Sequence, residues 1–67
     1  MSEVSRKLVE AEILLRHAAE LAASAAYIAG YAKPDTGARS TARSYVAEAL
    51  RCARSAAKLL EAVLAEL

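Results

Sequence analysis

Residues 31–40, "YAKPDTGARS", hold the one group of strong helix breakers in a chain of 67 residues. Pro34 biases Lys33 away from helical geometry, and Gly37 follows three residues later. On either side, apolar residues recur at helical spacing for about 30 residues, or roughly 45 Å of helix. Two helices and one turn therefore account for the chain. The pattern predicts a first helix over about 2–32, a turn at about 33–36 and a second helix over about 37–66, all in one domain, 1–67. No stretch alternates as a strand does. The expected fold class is all-α: an antiparallel two-helix hairpin that self-associates into a four-helix or larger bundle.

Each residue around the break has a local task. Pro34 stops a helix, Asp35 or Thr36 caps the next one, and Gly37 eases the bend. At the other end Ser2 is a fair N-cap, with Glu3 in the first turn where the helix dipole favours a carboxylate. The triplet Asp35-Thr36-Gly37 also matches the one that carries the catalytic carboxylate in retroviral-type aspartic proteases. There it sits in a loop between β-strands, beneath a sheet. Two alanine-rich helices offer no such setting. The stretch is a turn.

Composition limits what such a hairpin can do alone. The chain is 57% hydrophobic but has no Phe, no Trp and three Tyr, and alanine supplies much of the apolar count. Alanine is the best helix former yet buries little area, so helix propensity is high and bulky core is scarce. A chain this short buries only about 60% of its unfolded surface and is marginal as a monomer. The expected partner is a second copy, most simply in a dimer. Net charge is +1, which gives no whole-molecule field toward nucleic acid or membrane. A single cysteine excludes an internal disulfide and suits a reducing compartment. The longest uncharged run, 21–32, is short of the roughly 20 residues that span a bilayer. A soluble, cytoplasmic protein without a membrane partner is expected.

The packing pattern points to the interface. In the first helix Val4, Leu8, Ala11, Leu15, Ala18, Ala22, Ala25, Ala29 and Ala32 follow steps of four and three, a heptad seam. Leu14, Leu21 and Ile28 flank its alanine column on one side, and Leu8 and Leu15 on the other. In the second helix Ala42, Val46, Ala49, Ala53, Ala56, Leu60, Val63 and Leu67 form the matching seam. Leu50, Ala57 and Leu64 widen it on one edge, and Tyr45, Cys52 and Leu59 on the other. Each apolar arc covers about half a circumference, more than one neighbour fills. The expected oligomer interface is Leu8, Ala11, Leu14, Leu15, Ala18, Leu21, Ala25 and Ile28 with Val46, Leu50, Ala53, Leu60 and Leu64. Val9, Ile13, Tyr27 and Tyr31 form a further stripe on the far side of the first helix, a second contact surface.

Little in the chain suggests chemistry. His17 and Cys52 are equidistant from a bend near residues 34–35, so they fall at one level of the bundle. Zinc signatures pair ligands at i, i+3 or i+4 on one helix, and neither residue reads as having such a mate. A Cys–His catalytic pair would need a third, orienting group and a pocket, and the sequence shows neither. No metal, cofactor, small-molecule substrate or catalytic residue is expected, and Cys52 reads as a small core residue. The carboxylates Glu3, Glu10, Glu12 and Glu20 are mixed with Arg6, Lys7 and Arg16 and read as a solvated surface. Arg39, Arg43, Arg51, Arg54 and Lys58 lie along the outer face of the second helix. The first two sit near its N-terminus, against the dipole, and invite phosphate contact as an alternative function. RNA and DNA readers add aromatics or amides for the bases, and this face offers serine and alanine.

In length, single turn and heptad seams the whole chain resembles the repressor-of-primer family, whose short helical hairpins dimerise into four-helix bundles and bind RNA. No motif matches residue by residue, so no functional residue carries over. The near-equal helices, compact turn and heptad-spaced alanine column also resemble computationally designed helical-hairpin oligomers. That resemblance implies a structural self-assembly module without catalytic activity. The alternative is a natural dimeric bundle that binds RNA or DNA through the basic face.

Overall fold

A computed structural model gives two α-helices, α1 (Glu3–Tyr31) and α2 (Thr36–Glu66), packed along their length as a hairpin. The structure describes residues 2–31 and 36–67, without the side chain of Thr36. The turn at about 33–36, Ala32 in the seam, and capping by Asp35 or Thr36 lie outside what is described. Gly37 is already helical, and its carbonyl accepts a hydrogen bond from Thr41 Oγ1 at 3.0 Å. Ser2 caps α1 as its position predicts: the Ser5 backbone N–H donates to Ser2 Oγ at 3.0 Å. At the other end of α1, a Cβ on Gly30 would meet nothing within 4 Å, so this glycine only weakens the helix. Ser2→Ala should cost about 1 kcal/mol and Gly30→Ala should gain about 0.5–1 kcal/mol. Thermal melts of the two variants should therefore shift in opposite directions.

The helices meet along a narrow stripe. In α1 the positions withdrawn from solvent are Val4, Lys7, Ala11, Leu14, Ala18, Leu21, Ala25 and Ile28, and no others among the described residues. Their spacing alternates three and four, the a and d positions of a heptad. In α2 the a and d positions Ala38, Ala42, Tyr45, Ala49, Cys52, Ala56, Leu59 and Val63 are withdrawn in the same way, and Glu48, Ala53, Ser55 and Ala62 beside them are half-buried too. The expected column of Ala11, Ala18 and Ala25 is therefore in place, but the helix is turned toward its Leu14 edge. Leu8, Leu15, Ala22 and Ala29, expected in the seam, are exposed. The rotation has a physical reason. It brings three branched side chains (Leu14, Leu21, Ile28) against α2, where the other edge offers only two. In α2 the turn runs toward Tyr45, Cys52 and Leu59, and Val46 and Leu60 are left outside.

Lys7 completes the seam at the open end of the hairpin. Its stem packs between the helices while Nζ reaches Glu66 at 3.5 Å. The resulting core is thin: the buried residues are Ala11, Ala25, Cys52, Ala56 and Val63. Among the described residues Cys52 is the largest side chain that is fully buried. Alanine at the contact lets the helix axes approach the short end of the usual 8–10 Å range. Close approach leaves the larger side chains at the margins, and that sets up both features described next.

Candidate functional site

Two flanks run beside an antiparallel seam. On one, position g of α1 faces position g of α2. His17 occupies that position in α1 and Glu48 in α2, with Cys52 in the adjoining d position. The structure brings one ligating atom from each within 4.8 Å of the others. His17 and Cys52 thus meet, as their equal distance from the turn suggests, and Glu48 supplies the third group that seemed to be missing. It was missed because it is neither histidine nor cysteine. At i−4 from Cys52 it shares the same helix face, and that spacing was legible.

The electrostatics of this cluster are specific. Arg51, one turn from Glu48, donates from Nε to Glu48 Oε2 at 3.1 Å and from Nη2 to Oε1. Cys52 Sγ lies 3.9 Å from that same Oε1. The Arg51 hydrogen bonds are the main reason that the Glu48 carboxyl is held below its ordinary 4.5; partial burial opposes them, and the charges of Arg51 and His17 assist. A carboxyl lowered in this way favours the fold above 4.5, and the contribution is lost as pH falls through the lowered value. Cys52 is 1% exposed, Glu48 is half-buried and His17 is exposed. The cluster therefore sits at the rim of the seam, with its thiol turned inward.

The other flank is apolar. Positions e and b carry Leu8 and Leu15 from α1 and Val46, Leu50, Leu60 and Leu64 from α2. All six are exposed, from Leu60 at 41% to Leu64 at 76%. Leu8, Ala11, Leu15, Ala19 and Leu60 line an open groove of about 360 Å³ between the helices. The ion pair of Glu12 and Arg16, 3.1 Å apart, edges it. Among the residues expected at an oligomer interface, Ala11, Leu14, Ala18, Leu21, Ala25 and Ile28 are instead spent on the contact within the hairpin. Leu8, Leu15, Val46, Leu50, Leu60 and Leu64 remain available, with Ala53 half-covered among them.

The stripe on the far side of α1 is exposed at Val9, Ile13, Tyr27 and Tyr31. Tyr27 and Tyr31 cover one another in part, with ring centroids 4.9 Å apart and planes tilted by 32°. Arg39, Arg43, Arg51, Arg54 and Lys58 are all exposed. At 100° per residue they spread over an arc of about 120°, a third of the circumference of α2. Arg51 is engaged by Glu48, whereas Arg39 and Arg43 have no ion-pair partner among the described residues. Thr41 and Ser44 direct their hydroxyl hydrogens to the carbonyls of Gly37 and Ser40, at 3.0 and 3.1 Å. No helix among the described residues is long and apolar enough to cross a membrane. Comparison with family models, curated proteins and solved structures gives no match to this chain.

Proposed function

We propose that the chain is a structural self-assembly module, a helical hairpin that pairs with a second copy of itself into a symmetric four-helix bundle. The observation that carries this reading is the face of Leu8, Leu15, Val46, Leu50, Leu60 and Leu64, exposed beside a core made mostly of alanine and cysteine. Leucines are the larger apolar resource of this chain, and the hairpin alone leaves six aliphatic groups of one flank in water. A second copy is the occupant because it offers the same apolar flank at the same heptad spacing, as an isologous two-fold contact requires. The size is also right. The hairpin measures 47 × 15 × 12 Å, so one long face has a footprint of about 700 Å² (47 × 15), near the roughly 800 Å² per partner of a standard interface. The regular heptads and near-equal helices that support assembly also carry the likeness to designed hairpin oligomers, and such an origin belongs to the same proposal.

Light scattering on the intact chain tests this reading. The expected mass at micromolar concentration is a multiple of 7.1 kDa, most simply twice that value. A monomer mass with a cooperative, concentration-independent melt would defeat it. The competing function, RNA binding through Arg39, Arg43 and their neighbours, draws support from the exposure of those two arginines near the N-terminus of α2. Titration with a short RNA at increasing salt separates the two, since phosphate contacts give a steep loss of affinity with salt. Self-assembly as the function predicts no saturable binding.

A further inference from the structure

We propose that His17, Glu48 and Cys52 form a binding site for one divalent transition-metal ion of the zinc class per chain, open at one coordination position. Three different ligand types converge from two helices: an imidazole nitrogen, a carboxylate oxygen and a thiol sulfur, all within 4.8 Å of one another. Tetrahedral zinc draws on this chemistry, with bonds of about 2.0–2.3 Å to nitrogen, oxygen and sulfur. Ligand atoms around such an ion stand some 3–4 Å apart, so the observed spacing closes with side-chain adjustments alone. Magnesium and calcium are disfavoured, because thiolate and imidazole suit softer ions than these.

The surroundings fit a metal better than they fit thiol catalysis. Cys52 is 1% exposed, so a substrate has no approach to its sulfur, whereas an ion held between it and exposed His17 sits at the rim. His17 makes no hydrogen bond among the described residues, which leaves its ring nitrogens available. Glu48 and Cys52, four residues apart on α2, present their atoms on one face, and Arg51 orients the carboxylate by donating from Nε to Oε2 at 3.1 Å and from Nη2 to Oε1, whose second lone pair is the one left for an ion. On binding, the Cys52 thiol gives its proton to solvent as the sulfur–metal bond forms, with no change of oxidation state. Three protein ligands leave one position for water or an external ligand. Because the ligands join α1 to α2, the ion also clips the hairpin shut. This site lies on the flank opposite the leucine face, so the inference stands apart from the assembly proposal.

Cobalt(II) titration of the intact, reduced chain is the test, because a cobalt–thiolate bond gives a charge-transfer band and tetrahedral cobalt gives intense visible bands. The expected result is one cobalt per chain, displaced by zinc, with a melting temperature that rises on adding zinc. Cys52→Ser should abolish the charge-transfer band. His17→Ala and Glu48→Gln should weaken binding at least about tenfold. His17 is exposed, so its variant keeps the seam intact, and circular dichroism checks folding in all three. Absence of the band at saturating cobalt would overturn the site. So would unchanged affinity in both His17→Ala and Glu48→Gln, which would mean a solitary thiol, or one ion per two chains, which would mean a site between copies.

Discussion

Leu60→Asp should convert the proposed assembly to hairpin monomers. Leu60 is 41% exposed in the hairpin and lines its apolar groove, the surface that the proposed second copy would cover. A partner can bury only the 41% of Leu60 that the hairpin leaves exposed, so losing it removes about 0.6–1.2 kcal/mol of association. A symmetric dimer carries the change twice, for about 2 kcal/mol, or roughly thirtyfold weaker association. The carboxylate adds to this, because an unpaired charge against an apolar face must be desolvated or neutralised. Sedimentation or light scattering should show the monomer mass at concentrations where the parent chain is assembled. Leu14→Asp is the informative contrast. Leu14 belongs to the seam between α1 and α2, so the charge there should erase helicity itself. Arg54→Ala, on the outside of α2, should change neither mass nor helicity. If Leu60→Asp retains the parent mass while changes at Val9 or Ile13 dissociate it, the contact lies on the far side of α1.

What was legible in the sequence follows from which physical choices were degenerate. Two helices and the Ser2 cap depend on local signals: a hydroxyl at the N-cap and period-seven apolar spacing on either side of the breakers. The rotation of the helices about their axes does not depend on such signals. Ala11, Ala18 and Ala25 serve equally as the centre of a seam that leans toward Leu14 and Leu21 or toward Leu8 and Leu15. Only the identity of the facing side chains breaks the tie, and there Tyr45, Cys52 and Leu59 against Leu14, Leu21 and Ile28 won. That rotation separates the apolar residues into an inner set and an outer set, a division that periodicity alone blurs. It also carries Cys52 inward and leaves His17 and Glu48 at the rim. The cluster of three is therefore a consequence of the rotation, and hydropathy had no means of weighing a carboxylate as a ligand.

Ala11→Leu and Ala25→Leu should each lower the stability of the hairpin by about 1–3 kcal/mol, the usual cost of overpacking a filled contact. Ala11 is 1% and Ala25 6% exposed, and both lie in the column where α1 faces α2. A leucine there has to push the helices apart or leave its preferred rotamer, and either response loosens Leu14 and Leu21 beside it. For a chain of this size the melting temperature should fall by roughly 5–20 °C. The same change at Ala47, exposed on the outer side of α2, should be nearly silent, because leucine is almost as good a helix former as alanine. The deficit of Ala11→Leu should persist whatever the chain concentration, since the seam lies within one chain. The deficit of Leu60→Asp should shrink on dilution, as the parent chain loses its own assembly. Equal melting shifts at Ala11 and Ala47 would mean that alanine is there for helix propensity alone. The close approach that pushes the leucines to the outside, and with it the reason for a second copy, would then have no basis.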